Sequence, residues 1–200
     1  MASVITYFAL LRHAETEWNR EKRIQGQQNS ILTSAGRQQA QRWGRALRRC
    51  RLNYMVSSDL ERATQTASLI NQSLKLQCSL EPRLREQDWG AWSGMKLGDL
   101  VETDDLKLQE RTGWHFRPLQ GESRLEVLER SQQALMDIAH RLEGKRILVV
   151  THGGVMKCLL YNLHGRRFLP EEPQLLEPYR LHWLRYDGEG FEVYRLNEEI

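Results

Sequence analysis

Leu11-Arg12-His13-Ala14-Glu15-Thr16 follows directly on an apolar run over residues 4–11. The run reads as a buried strand. A strand that stops at Arg-His delivers both side chains to the carboxyl edge of a sheet, where ligands of open α/β sheets bind. An arginine beside a histidine at that edge suggests an anion held by the first and attacked by the second. The tripeptide alone is a weak signal. It gains force because other stretches repeat the design: Ser57-Ser58-Asp59-Leu60-Glu61-Arg62, Leu84-Arg85-Glu86 and Val150-Thr151-His152-Gly153-Gly154.

Outward from these stretches, strands and helices alternate. A loop over 16–32 carries Asn19, Arg23, Gln25 and Gly26, after which Thr33 or Ser34 caps a helix to about residue 49. Ala40, Trp43, Ala46 and Leu47 recur on its inner face. Residues 54–57 read as a short strand, and Asp59 is the expected cap of the next helix, with Arg62 in its first turn. Residues 76–80 read as an edge strand and 86–94 as a loop rich in Trp and Gly. Ser123 and Glu126 form a capping-box pair ahead of a helix whose Leu128, Leu135, Ile138 and Leu142 share a face. Residues 147–151 are continuously apolar, the pattern of a central parallel strand, and a helix is expected over 154–163. Residues 181–186 and 191–196 flank Asp187-Gly188-Glu189-Gly190 as a hairpin.

This order predicts an α/β fold, a three-layer α/β/α sandwich with a mostly parallel central sheet and antiparallel strands added by the hairpin. Between 95 and 119 charge rises, and Trp114, His115, Phe116 and Pro118 interrupt any regular period. A small inserted cap is expected there, at about 95–121, within a single domain spanning 1–200.

Two hundred residues suffice for one domain with a sizeable core. Residues 2–11 are too short for a membrane span and lack the basic flank and cleavage signal of a secretory leader, so the expected location is the cytoplasm. Cys50, Cys78 and Cys158 are odd in number and widely spaced, which argues against a disulfide framework and a zinc cluster; buried or half-buried thiols are expected. The formal net charge is only +3 and the basic residues are dispersed. The densest group, Arg42, Arg45, Arg48, Arg49 and Arg51, recurs at helical spacing and reads as a solvated helix face. Neither nucleic acid nor membrane is an expected partner.

Parallel strands bring their carboxyl ends to one rim, so Arg12, His13, Arg62, His152 and Glu86 should meet there, beside the N–H groups of helix N-termini. Paired guanidinium groups suit a phosphoryl group, which they bind bidentately while staying charged. Phosphoryl transfer is promoted mainly by positioning and charge stabilisation. A neutral His13 imidazole can attack phosphorus, kept neutral by its cationic neighbours. Glu86 would protonate the leaving oxygen and then activate water. Glu81, Asp88 and Glu15 are the neighbouring candidates for that acid, with Glu15 expected in a structural hydrogen bond. Gly153 and Gly154 let backbone N–H groups approach an anion. A metal held by His13, His152 and Glu86 lacks a ligand-spacing motif and leaves the arginines unexplained. No metal or cofactor is expected. Trp89, Trp92, Trp114 and Phe116 either wall a substrate pocket or pack as core. His115 is a weaker candidate for substrate contact, and Arg117 and Arg124 are candidates for binding a carboxylate.

Arg12-His13-Ala14-Glu15-Thr16-Glu17-Trp18-Asn19, Gln25-Gly26, Leu32-Thr33-Ser34-Ala35-Gly36, Ser57-Ser58-Asp59-Leu60-Glu61-Arg62-Ala63, Glu86, Gly121-Glu122-Ser123 and Thr151-His152-Gly153-Gly154 resemble, in this order, the histidine phosphatase superfamily, also called the phosphoglycerate mutase-like family. The resemblance implies that His13 becomes a phosphohistidine and that Glu86 is the proton donor. It also implies that Arg12, Arg62 and His152 form the phosphate pocket, assisted by Asn19, Thr16 and Gln25. The family usually has Gly where Ala14 stands, and commonly Asp where Asn29 stands. Ala14 fits unless that position needs a positive φ.

The expected activity is metal-independent hydrolysis of a small phosphorylated metabolite. A mutase that returns the phosphoryl group to another hydroxyl is the alternative, and a catalytically silent binding domain a third. The short, dispersedly basic segment 95–121 favours hydrolysis, because the resemblance implies a longer cap with a basic pair in the mutases.

Overall fold

A computed structural model describes residues 4–200. The first two residues of the stretch 2–11 lie outside the described residues. One six-stranded sheet is built from β1 (Thr6–Arg12), β2 (Tyr54–Ser57), β3 (Cys78–Leu80), β4 (Arg146–Thr151), β5 (Leu181–Tyr186) and β6 (Phe191–Glu198), in the order β3-β2-β4-β1-β5-β6. The four strands from β3 to β1 run parallel, β5 is antiparallel to β1, and β6 is antiparallel to β5. The expected three-layer arrangement with a mostly parallel sheet is thus observed.

Successive side chains of a strand point to opposite faces, and the apolar run of β1 serves both. Phe8 and Leu10 pack with α6 (Arg124–Arg141) and α7 (Gly153–Leu163). Ala9 and Leu11 pack with α2 (Ser34–Ala46) and α3 (Glu61–Leu74). All of these β1 residues are fully buried, so both faces need apolar side chains, and the strand reads as a continuous run. Full burial of each Leu or Phe contributes about 1.5–3 kcal/mol.

Helices α2 and α6 start on side-chain caps, whereas α3 and α7 have none. Thr33 accepts from the Gly36 N–H at 2.9 Å at the head of α2. Ser123 and Glu126 exchange both capping-box bonds at the head of α6. At α3 the N-cap is Leu60, with no side-chain bond, and Asp59 does not cap. Its carboxylate is taken by Arg85, whose Nε donates at 2.7 Å, a charge-assisted pairing that outcompetes a single backbone N–H.

Segment 95–119 is more regular than its sequence suggests. It holds the short helices α4 (Leu97–Val101) and α5 (Asp104–Glu110) and a 3-10 turn at Gly113–His115. Leu100, Leu106 and Phe116 form their own small core with Ile24 and Trp92, apart from both sheet faces. One more short helix, α1 (Glu17–Arg20), lies in the loop that follows β1. Cys50 and Cys158 are buried, whereas Cys78, on the edge strand β3, is exposed, contrary to expectation. The arginines at 42, 45, 48, 49 and 51 are exposed as expected. Among the described residues no helix is long and apolar enough to cross a membrane.

Candidate active site

Strand register decides which side chains meet. Arg12 stands level with Thr151, and Ser57 level with Val150. The residues next in each chain, His13, His152 and Ser58, therefore leave the sheet at one edge. His13 borders a cavity of about 460 Å3 that it lines with Arg12, Asn19, Gln25, Arg62, Glu86, Gly153 and Gly154. His152 lies directly behind it, its ring 5.2 Å from that of His13. Of the residues singled out for the site, His152 and Thr16 do not line the cavity, and the Thr16 side chain is engaged elsewhere. Its hydroxyl and backbone N–H are bonded to Asn19 Oδ1 at 3.0 and 3.1 Å, because it caps α1.

His13 is 1% exposed. Its Nδ1 lies 2.8 Å from the Ala14 carbonyl, which only an N–H can satisfy, so Nδ1 carries the proton and Nε2 keeps its lone pair. Burial holds the imidazole well below the ordinary histidine pKa, with Arg12 and Arg62 adding to the effect. Burial is thus a larger cause of the neutral state than the cationic neighbours. His152 is depressed in the same way, first by burial and then by Arg62, and its Nε2 is 2.8 Å from the Ser58 hydroxyl. Ala14 is not among the residues with positive φ, so its methyl group costs nothing there. Asn29 is exposed.

Arg62 is completely buried. Its Nη1 donates to the Gln28 carbonyl at 2.7 Å and Nη2 to the Gly26 carbonyl at 2.6 Å. Gly26 has φ +49, and a Cβ there would stand 2.6 Å from Ser93 Oγ, so the turn that presents these carbonyls requires glycine. Burial brings the Arg62 pKa down to about 10, which leaves it charged at neutral pH. Nε of Arg62, Nε of Arg12, Oε1 of Gln25 and Nδ1 of His152 are buried without a hydrogen-bond partner among the described residues. The guanidinium N–H groups among them are donors that an anion can use, whereas the Gln25 oxygen is an acceptor and suits a donor.

Glu86 reaches the cavity from an irregular stretch after the 3-10 turn Pro82–Leu84. Its Oε1 accepts from the Gln87 N–H at 2.9 Å and its Oε2 from the Gly154 N–H at 3.2 Å, at the head of α7. A Cβ on Gly154 would fall 2.2 Å from Glu86 Oε1, so that glycine is needed for close approach. Of the other acids considered, Glu15 accepts from Thr33 Oγ1 at 2.8 Å, as expected. Glu81 is paired with Arg83, and Asp88 Oδ1 accepts from the Gly90 N–H at 2.9 Å. Among the described residues no three His, Cys, Asp or Glu side chains gather as a metal-holding group.

Further out, the cavity is lined by Trp89, Arg124, Lys157 and Phe168. Trp92 and Phe116 pack beneath, and Trp114 packs on Phe168 with its rings 5.2 Å apart, so most of the aromatics are core. The Arg124 guanidinium lies 4.2 Å from the Phe116 ring centre and 4.0 Å from that of Phe168. Arg117 is paired with Glu126 outside the cavity, and His115 is exposed. The expected site did not include Lys157, and it held Ser58 only as part of the stretch 57–62. Lys157 has a legible signal, a lone cation one turn after Gly153-Gly154 in an otherwise apolar helix.

The family model for the histidine phosphatase superfamily (branch 1) matches residues 8–199. A probable phosphoglycerate mutase GpmB of Escherichia fergusonii is 37% identical over 158 residues, covering 78% of this chain and 74% of that protein. Among solved structures, YhfR of Bacillus stearothermophilus superposes with a TM-score of 0.87 at 31% identity, over 98% of each chain. A mycobacterial glucosyl-3-phosphoglycerate phosphatase, solved with VO3, superposes with a TM-score of 0.85 at 26% identity, over 96% of this chain and 99% of that one. The phosphoglycerate mutase-like architecture is common to them.

Proposed function

The chain belongs to the histidine phosphatase superfamily, and from that premise we propose that it hydrolyses a small phosphorylated metabolite through a phosphohistidine on His13. The observation that carries this reading is the state of His13: neutral, buried, and fixed by the Ala14 carbonyl with its Nε2 lone pair free. An imidazole so held beside two guanidinium groups is a nucleophile for an anionic electrophile.

In the proposed sequence, Arg12, Arg62 and His152 bind the phosphoryl oxygens, with Asn19, Gln25 and the Gly153 N–H assisting. His13 Nε2 attacks phosphorus, the bond from phosphorus to the ester oxygen breaks, and Glu86 gives its proton to the departing alcohol. The Glu86 carboxylate then takes a proton from water as that water attacks phosphorus. The P–N bond breaks, the electron pair returns to Nε2, and inorganic phosphate leaves. No step calls for a metal ion, so turnover is expected to survive a chelator and to be inhibited by vanadate. Segment 95–119 is proposed to act as the cap over this site.

Phosphoglycerate-type mutase activity is the second reading. It is favoured by the name of the 37% identical relative and by Arg124 and Lys157, cations in the same cavity that suit a substrate carboxylate. The deciding experiment is a parallel assay on an aryl phosphate and on 3-phosphoglycerate with 2,3-bisphosphoglycerate, resolving phosphate release from isomerisation. Phosphate release without isomer is the expected result. Isomer without net phosphate loss would establish the mutase instead.

A further inference from the structure

Glu86 sits on a stretch with no regular secondary structure, yet a proton donor must be held within a fraction of an ångström of its target. Something outside the stretch must fix it. The backbone around Glu86 is fastened from α6 by one arginine. Arg130 Nη1 donates to the Arg83 carbonyl at 2.5 Å and Nη2 to the Glu86 carbonyl at 3.2 Å. The same guanidinium meets the Glu122 carboxylate, at 2.6 Å from Nε and 2.9 Å from Nη2. Glu122 in turn holds the far side of the stretch. Its carbonyl accepts from the Gln87 side chain at 2.7 Å, and its N–H donates to the Asp88 carbonyl at 2.9 Å.

The Arg130–Glu122 pair also differs from the other ion pairs among the described residues. Both of its side chains are less than a fifth exposed, at 19% and 18%, whereas every other pair has a partner at 29% or more. A sheltered ion pair adds little net stability, since desolvation offsets the attraction. What it supplies is geometry, because a planar guanidinium bonded through all three of its nitrogens has one orientation.

We propose that Arg130 and Glu122 are positioning residues that clamp residues 83–88 and so aim the Glu86 carboxyl at the leaving oxygen. The inference rests on the reading of Glu86 as proton donor. A clamp of this kind matters most when the leaving group is poor, because a good leaving group departs without a proton.

The test compares kcat/KM for 4-nitrophenyl phosphate with that for benzyl phosphate, an alkyl ester of similar size and poor leaving ability. It uses wild type, Glu86→Gln, Arg130→Met, Arg130→Lys and Glu122→Gln, with thermal melting to verify folding. Glu122→Gln is nearly isosteric and guards against loss of fold in Arg130→Met. Glu86→Gln is expected to lose about 100-fold more on the benzyl ester than on the nitrophenyl ester. Arg130→Met and Glu122→Gln should lose about 10-fold more on the benzyl ester, and Arg130→Lys should recover part of that difference. Equal losses on both esters, or none, in the clamp variants beside a discriminating Glu86→Gln would overturn the clamp alone. Equal losses in Glu86→Gln itself would overturn the proton-donor reading and the clamp with it.

Discussion

Arginines occupy two neighbouring regions of this molecule, and the fold treats them in opposite ways. At the rim of the sheet, Arg12 and Arg62 have no carboxylate within ion-pair distance among the described residues, and Arg62 is held by the Gly26 and Gln28 carbonyls. In the stretch 81–86, Arg83 is paired with Glu81 and Asp137, and Arg85 with Asp59. Carbonyl dipoles fix a guanidinium without cancelling its charge, whereas a carboxylate cancels it. Burial lowers the pKa of Arg62 to about 10, while its partners raise that of Arg83. The first region keeps positive charge available for a ligand, and the second spends its charge on holding the chain.

The comparison can be broken or sharpened in order of effect. His13→Ala removes the group that the rim cations serve, and turnover of an aryl phosphate should fall on the order of 10^5-fold. Near-normal rates would end the reading of the rim as a phosphoryl site. Arg62→Met should lower kcat/KM by about 10^3-fold with most of the loss in kcat, since its charge is matched to the transition state. Arg83→Gln should leave kcat/KM within about twofold and lower Tm by no more than about 4 °C. Comparable kinetic losses in these two variants would erase the distinction between the regions. Gly154→Ala puts a methyl group against Glu86 Oε1. It should cut kcat by about 10-fold or more, with KM nearly unchanged, in steady-state assays.

The smallest effect is in stability against pH. His13, His152 and His182 are buried and held below the ordinary histidine value by that burial, His182 at about 4. Below about pH 6.5 the unfolded chain takes up protons that the folded chain refuses. Stability is therefore full above that pH and falls below it, by up to about 1.4 kcal/mol per pH unit for each histidine, until its folded pKa is reached. His182→Asn keeps an acceptor for the Asn197 N–H, which His182 Nδ1 binds at 3.2 Å. Denaturant titrations between pH 6.5 and 5 should then show a slope shallower by up to about 1.4 kcal/mol per pH unit. An unchanged slope would mean that His182 takes no part.

Local rules made much of this molecule legible in advance. The continuous apolar runs of β1 and β4 announced strands buried on both faces, and the side chains of Thr33 and of Ser123 with Glu126 announced two helix starts. The positions of His13, His152 and Arg62 at strand and helix ends then predicted a shared rim. The side chains of Asp59 and Thr16 are engaged away from their expected roles for a common reason. Each has the chemistry for its expected role, and a competing partner, Arg85 for one and Asn19 for the other, takes the side chain.

By itself, then, the sequence determined the layers, the strands and the rim, because periodicity and capping act over a few residues and are written where they act. The tertiary structure alone decided how each charge is held. Arg62 meets the Gly26 carbonyl across 36 residues of chain, and Gly154 meets Glu86 across 68. Arg130 reaches the Glu86 carbonyl across 44. Such pairings depend on sheet register and helix packing, so no pattern local to either partner records them.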